Sequence, residues 1–527
     1  MVGVGTLIRL MLRVDRVRIP AWAAGSGAFA LYVSIAVPAA YGDDLDAATD
    51  LFASPVGRML TGPGHGLAEP TTERLIAGGY GLYFLLLSAL MSILLVVRHT
   101  RAEEQSGRAE LLRAGIVSRH AGLVAALVVA VVANLAVGLA VVAALVAVGG
   151  FALHGSALLA AAVAAVGLAF AGVAATTAQV SQHPRAASGL AGGVLAAAFI
   201  VRGGGDMAAE GGTLLSWLSP LGWAQQTAPY VLDRWWPLLL LVAVASGTTG
   251  VAFLLSARRD VGGSFVAERP GPARARPHLG TIWGLTMRLQ RAGIIGWTAS
   301  LAVSGFVYGL FTDAMLDATD DLPDVLEDLF GREDLVAGYL GVMALLQAIM
   351  VAVYAVLAIQ SLRTEETSGR GDAVLALPVS RRASLTAALA VTTAAAVLMS
   401  AVLGAANGVG AALTTGEAHY VWDLTLAQLN MVPPVLVVLS VATLLFGASP
   451  RLLGAAWAIV GYAFLAGTFG GLLDLPQVAY DLSPFEHSAL MPLEPFTAVP
   501  TVVLTGLALA LAAVGVARFQ QREYNLV

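Results

Sequence analysis

Long runs of apolar residues alternate with short polar segments along most of the chain. A helix that crosses a membrane needs roughly 20 mostly apolar residues. The pattern therefore predicts an all-α, polytopic membrane protein with about twelve transmembrane helices. These runs lie at about residues 20–40, 75–97, 120–149, 156–180, 187–202, 236–257, 294–312, 336–360, 383–413, 425–447, 451–471 and 498–517.

Two segments, residues 101–119 and 363–381, repeat each other without a gap and are identical at 10 of 19 positions. Both follow the pattern R-x-E-E-x-S-G-R and end in V-S-R. Each follows the second apolar run of a set of six, which is the signature of an internal duplication. The sequence thus predicts two parallel six-span halves, at 1–260 and 281–527, joined by a Pro-, Gly- and Arg-rich linker at 261–280.

An amphipathic segment precedes the first span. Arg9, Arg13 and Arg16 are spaced so that they share one face of a helix, while the apolar residues lie largely elsewhere. This favours an interfacial helix along the inner membrane surface. The alternative is a simple positive flank to the first span, but a similar lead-in before Trp297 favours the helix.

Composition agrees with a membrane location, with 58% hydrophobic residues, 12% charged residues and a mean hydropathy of +0.79. It argues against a disordered or nucleic-acid-binding protein. The chain has no Cys, which excludes disulfides and thiolate metal sites, and we predict no metal site. It also has no Lys, so it lacks the lysine of a phosphate-binding P-loop.

Arginine distribution predicts the orientation. With the N-terminus inside, 24 of the 29 arginines fall in inner segments. The excess of positive charge on the cytoplasmic side predicts a multi-pass protein with both termini cytoplasmic. A signal peptide is the alternative interpretation of the first apolar run, but the run is long for one.

The repeated segments carry the main candidate site. They place paired carboxylates on a basic inner surface, and the Ser-Gly step of each favours a break between two helices. A solvated loop with local Arg–Glu pairs is the alternative, although such a loop does not explain why it is the best-matched part of the two halves. The candidate docking residues are Arg101, Glu103, Glu104, Ser106, Gly107, Arg108, Arg363, Glu365, Glu366, Ser368, Gly369 and Arg370.

These features together resemble the fused, twelve-span permease subunits of ABC-2-type exporters, and most closely the actinobacterial exporters of polyketide antibiotics of the tetronasin-resistance type. The resemblance covers the whole chain and implies a bacterial plasma membrane protein that exports drugs or antibiotics and so confers resistance. It implies a separate cytoplasmic ATPase, two copies per permease, that binds ATP and Mg and docks on these two loops. The permease itself then has no cofactor and no catalytic residues. Leu377-Pro378, which replaces Gly115-Ile116, makes the two docking surfaces unequal.

Large side chains on the second and eighth spans are candidates for a central apolar cavity that takes a small-molecule substrate, with ordinary helix packing as the alternative. They are Tyr80, Tyr83, Phe84, Met91, Tyr339, Met343, Gln347, Met350 and Tyr354. Two aromatic outer loops, at 203–236 and 472–499, correspond by resemblance to short re-entrant helices that cap the exit path, or else form an interfacial aromatic belt. The acidic loop at 313–334 is predicted to be a solvated outer helix rather than a calcium site.

Two other classes of function are open at this point. An ion-coupled secondary transporter usually has carboxylates within its spans, and none lies clearly at mid-membrane here. A membrane-embedded lipid-modifying enzyme would need a catalytic motif, and neither HExxH nor GxSxG is present.

Overall fold

The computed structural model describes residues 3–523 except 42–44, 46–48, 50–51, 114, 116, 260–262, 264, 266–272, 314–334 and 470–475. The described residues form helices and turns without a strand. Eleven of their helices are long and apolar enough to cross a membrane, and one shorter apolar helix accompanies them. The predicted all-α polytopic membrane fold is therefore confirmed.

The chain divides into two compact units, Met1–Pro270 and Gly271–Val527, and the division falls inside the predicted linker. The first unit holds a lead-in helix, Val4–Val14, and spans 1 to 6: Arg18–Tyr41, Thr72–Gln105, Ala121–Ala147, Leu153–Val180, Pro184–Ala208 and Pro237–Arg258. The second unit holds spans 7 to 12: Ile282–Leu310, Leu335–Thr367, Arg381–Thr415, Tyr420–Ala448, the shorter Ala456–Phe469, and Ala498–Gln521.

Helix starts follow local chemistry. Thr71, Thr281 and Ser380 precede spans 2, 7 and 9, and each side-chain oxygen accepts a hydrogen bond from a backbone N–H of the first turn. Pro184 and Pro237 occupy the first helical position of spans 5 and 6, where proline has no hydrogen bond to lose.

Helix packing repeats from one unit to the other. In the first unit, span 1 packs on span 3, span 2 on span 4, span 3 on span 4 and span 4 on span 6. In the second unit the same pairs recur as spans 7 and 9, 8 and 10, 9 and 10, and 10 and 12. The duplication seen in the sequence is thus also a duplication of architecture.

The lead-in segments differ between the units. In the first, Val4–Val14 is a separate helix that buries Leu7 and Met11 and exposes its arginines; its position along the membrane surface stays a prediction. In the second, the amphipathic lead-in before Trp297 is continuous with span 7, a single helix of 29 residues. The first helix ends at Asp15, whereas Gln290 stands at the matching position of the second segment and continues the helix.

Several span boundaries also differ from the prediction. Spans 2 and 8 run about eight residues further than expected, to Gln105 and Thr367. Span 10 begins at Tyr420 and is interrupted at Met431, ahead of two prolines that cannot donate to the helical ladder. The predicted acidic outer helix lies, apart from Asp313, outside the described residues.

Candidate docking site at the repeated motif

Each repeated motif forms a corner at the end of a span. Its first residues extend span 2 or span 8, and the chain then turns at a Ser-Gly step. Gly107 and Gly369 have φ of 74° and 72°, a left-handed conformation that side chains with a Cβ adopt reluctantly. The short helices Arg108–Arg113 and Arg370–Leu375 follow, which confirms the break expected from the sequence.

The first glutamate of each pair lies at the surface and spans the corner. Glu103 accepts two hydrogen bonds from Arg108, at 2.7 and 2.9 Å, and Glu365 accepts two from Arg370, at 2.8 and 2.7 Å. The two arginine side chains are 64% and 60% exposed. These hydrogen bonds raise the pKa of both arginines, so each motif presents a fixed positive charge beside a partly exposed carboxylate.

The second glutamate of each pair points inward. The side chains of Glu104 and Glu366 are only 9% and 1% exposed. Glu104 receives hydrogen bonds from Arg101 and Arg259, and Glu366 receives two from Arg522. The structure thus assigns the two glutamates of each motif to different surroundings, a distinction that their identical local sequence does not reveal.

The motif of the first half is also tied to the lead-in helix. Asp15, which is 1% exposed, is hydrogen-bonded to both Arg98 and His99 at the end of span 2. A cavity of about 80 Å³ lies beside this contact and is lined by Leu7 and Met11 of the lead-in helix and by both glutamates of the motif. Sequence reasoning missed Asp15, although it is the one acidic residue in an otherwise basic segment.

The twelve candidate docking residues therefore separate by exposure. Ser106, Ser368, Gly369, Arg108 and Arg370 are exposed, and Gly107 and Arg363 are half-buried. Arg101 and Glu366 are buried, and the side chain of Glu104 is 9% exposed. Arg101 is 1% exposed and donates to the carbonyl oxygen of Ala178, at the end of span 4, at 3.0 Å. The residues within reach of a partner are therefore the exposed ones and, in part, Glu103 and Glu365, whose side chains are 26% and 31% exposed.

The candidate cavity residues lie on spans 2 and 8 as the sequence indicated, in varied surroundings. Phe84 is 1% exposed and its ring lies 4.9 Å from that of Phe29. Tyr354 is 4% exposed and its ring lies 6.3 Å from that of Trp297. Buried with them are Met91, Tyr339 and Gln347; Tyr80 and Met343 are half-buried, and Tyr83 and Met350 are exposed. Their role in substrate binding remains a prediction.

The predicted outer loop at 203–236 contains several helical segments. Span 5 continues into it to Ala208, and short helices follow at Ser216–Leu218 and Pro220–Gln225. Trp217 and Trp236 stack with ring centroids 5.3 Å apart. In the second half, the described part of the corresponding loop contains one short helix, Gln477–Tyr480.

A buried ion pair at the C-terminal end of span 5 was not anticipated. Arg202 and Asp206, one helical turn apart, are 0% and 1% exposed and lie 3.1 Å apart. Arg202 also donates to the carbonyl oxygen of Met59 at 2.6 Å, and Ser216 donates to Asp206 at 2.6 Å. The sequence did contain a signal for this pair, because an Arg and an Asp four residues apart on a helix lie on the same face.

Comparison with known proteins gives one consistent result. Residues 5–255 and 279–520 match the family described as multidrug efflux system permease Rv1217c, C-terminal domain. The chain is also 36% identical to the multidrug efflux system permease protein Rv1217c of Mycobacterium tuberculosis, over 98% of this chain and 94% of that protein. The multi-pass architecture and the duplicated corners described above thus occur in a chain that belongs to the Rv1217c multidrug efflux permease family.

Proposed function

We propose that this chain is the membrane-spanning permease subunit of an ATP-binding-cassette exporter. It moves hydrophobic or amphipathic compounds, such as drugs or polyketide antibiotics, out of a bacterial cell. The observation that carries the proposal is the pair of equivalent, partly exposed corners, Glu103–Arg108 and Glu365–Arg370, on a chain of the multidrug efflux permease family.

ATP hydrolysis belongs, in this proposal, to a separate cytoplasmic ATPase that binds ATP and Mg. Because the chain has two corners, we expect two ATPase copies per permease, one bound to each half. The absence of Lys from the sequence supports this division, because a P-loop needs a lysine on the nucleotide phosphates. The decisive experiment is co-purification: a stable complex with a P-loop protein at two copies per permease supports the proposal. Transport that needs a proton gradient but no ATP contradicts it.

Exposed arginines of the two corners give a direct test of docking. Replacing Arg108 and Arg370 together by Glu places a second negative charge beside Glu103 and Glu365. Each corner then presents two carboxylates to the partner instead of an Arg–Glu ion pair. We expect the affinity for the ATPase to fall at least about tenfold, or about 1.4 kcal/mol, with a changed salt dependence. The measurement is ATPase binding to the purified permease at two ionic strengths.

Arg185→Glu is the matched control for docking. Arg185 is an exposed arginine in the first turn of span 5, on the predicted inner side but outside either corner. It undergoes the same change of charge, and we expect binding to stay unchanged. Equal binding by the double variant and the parent would refute docking at these corners.

Orientation in the membrane is a further prediction of this proposal. The parent has no Cys, so single-cysteine variants report one position each. We expect Ala68→Cys and Ala418→Cys, both exposed in the structure, to react with an impermeant thiol reagent added outside intact cells. Ser106→Cys and Ser368→Cys should react only after the membrane is made permeable. The reverse pattern would place the corners outside and remove them from any cytoplasmic ATPase.

A further inference from the structure

An arginine directly after the last span of each half reaches back to the repeated motif. Arg259 follows span 6 and Arg522 follows span 12, and the two are not part of the ungapped repeat. Each is followed by an acidic residue, in the dipeptides Arg259-Asp260 and Arg522-Glu523. Sequence comparison of the motifs alone gives no reason to connect these arginines with the glutamates.

The two contacts share one geometry. The guanidinium of Arg259 donates to both carboxylate oxygens of Glu104, at 2.8 and 2.7 Å. That of Arg522 donates to both oxygens of Glu366, at 2.7 and 2.6 Å. The arginine side chains are 8% and 10% exposed. Paired N–H···O bonds between planar groups are strong and fix orientation as well as distance.

Different surroundings hold the arginine in each half. In the first, Arg259 also donates to the side chain of Gln179 at 2.7 Å, and both Arg259 and Arg101 donate to the carbonyl oxygen of Gly263. In the second, the guanidinium of Arg522 lies over the rings of Phe446 and Phe519, 5.1 and 4.8 Å from their centroids. Two unlike environments that preserve one contact indicate that the contact itself matters.

The contact joins parts of each half that are far apart in the chain. Within the spans, spans 2 and 6 both pack on span 4, and spans 8 and 12 both pack on span 10. At the corner, however, the Arg–Glu pair links the motif to the end of the last span directly. In each half, two short hydrogen bonds therefore join the corner to the end of the last span.

We propose that Glu104–Arg259 and Glu366–Arg522 are two latches, one per half, through which the docking corner moves the last span. This rests on the proposed function, because the force on the corner comes from the docked ATPase. Arg259 and Arg522 are then positioning residues: they do not touch the partner or the substrate, but they hold the corner in register with the span. Removing the arginine breaks both hydrogen bonds between the end of the last span and the glutamate, so the corner is released from that span.

The test uses spin labels on the Cys-free permease. Labels at Ser106→Cys and Ser368→Cys report the mobility of each exposed corner by electron paramagnetic resonance. We expect Arg259→Gln to raise the mobile fraction at position 106 several-fold and leave position 368 unchanged. Arg522→Gln should do the reverse. Because each variant perturbs one half only, the label in the other half also reports that the protein has folded.

Neighbouring arginines provide matched controls. Arg258→Gln and Arg518→Gln remove the same charge from the ends of spans 6 and 12, where both side chains are exposed. Neither should change label mobility. Arg101 still contacts Glu104 after Arg259→Gln, so Glu104→Gln is a second variant for the first half, and it should also mobilise position 106.

A second measurement addresses coupling. In the complex with the ATPase, we expect each latch variant to reduce the stimulation of ATP hydrolysis by a transported drug at least about threefold, while the control variants keep it. The latch proposal is refuted if label mobility stays unchanged at both corners. It is also refuted if a variant with a mobile corner keeps the full stimulation of ATP hydrolysis. Failure of any ATPase to bind the parent would refute the proposed function instead, and the mobility measurement on the permease alone would still decide whether the latch exists.

Discussion

Arg202→Met is expected to destabilise the protein by about 3–5 kcal/mol, because it removes one member of a buried ion pair and leaves Asp206 charged and enclosed. The loss is larger than that of a surface arginine, since Arg202 also donates to the carbonyl oxygen of Met59 and so joins the helix Pro55–Thr61 to span 5. For a unit of this size, the apparent melting temperature should fall by about 10 °C. Thermal unfolding in detergent, followed by a fluorescent probe or light scattering, measures the shift.

Arg185→Met is the control for this variant. It lies in the first turn of the same span and is exposed, and we expect a change within about 0.5 kcal/mol. Asp206→Ala should cost about as much as Arg202→Met, and the double variant should cost clearly less than the sum. Additive losses would mean that the two side chains do not act as a pair.

Gly309→Val is expected to prevent folding of the second half. Spans 7 and 9 cross with their backbones in contact, and a Cβ at Gly309 would lie 2.0 Å from the carbonyl oxygen of Asn407. At Gly410, on the opposite helix, it would lie 2.3 Å from the carbonyl oxygen of Phe306. The obstacle is backbone on both sides, so no side-chain rotation relieves it. Small residues allow such close approach between membrane helices.

We expect a loss of about 3 kcal/mol or more from Gly309→Val, seen as a fall in the yield of monodisperse protein. Gly296→Val is the matched control: it lies in the same span, and a Cβ there meets nothing within 4 Å. Its yield should equal that of the parent. Equal yields for both variants would show that the crossing is looser than the structure indicates.

Much of the architecture was determined by the sequence alone. In a bilayer, a long apolar segment forms a helix because the helix satisfies the hydrogen bonds of its backbone N–H and C=O groups internally. The number and order of the spans therefore follow from the pattern of apolar runs. The Ser-Gly corner was also predictable, because a glycine at that step provides the left-handed conformation a helix end needs, and both copies have it. Span ends were less predictable, because the first polar residues of each motif are still helical and extend spans 2 and 8 beyond their apolar runs.

Tertiary structure alone decided how the charged residues of the motif are used. Glu103 and Glu104 are adjacent and chemically identical, yet one pairs with Arg108 at the surface and the other with Arg259, 155 residues away in the chain. Adjacent positions on a helix face different directions, and only the packing of spans 2, 4 and 6 determines which of them meets a buried arginine. The same reason explains why the sequence did not reveal the Arg202–Asp206 pair, whose burial depends on the helix Pro55–Thr61 that packs on span 5. Sequence thus specifies which segments become helices, because that depends on local hydrophobicity, whereas charge pairing depends on residues that folding brings together.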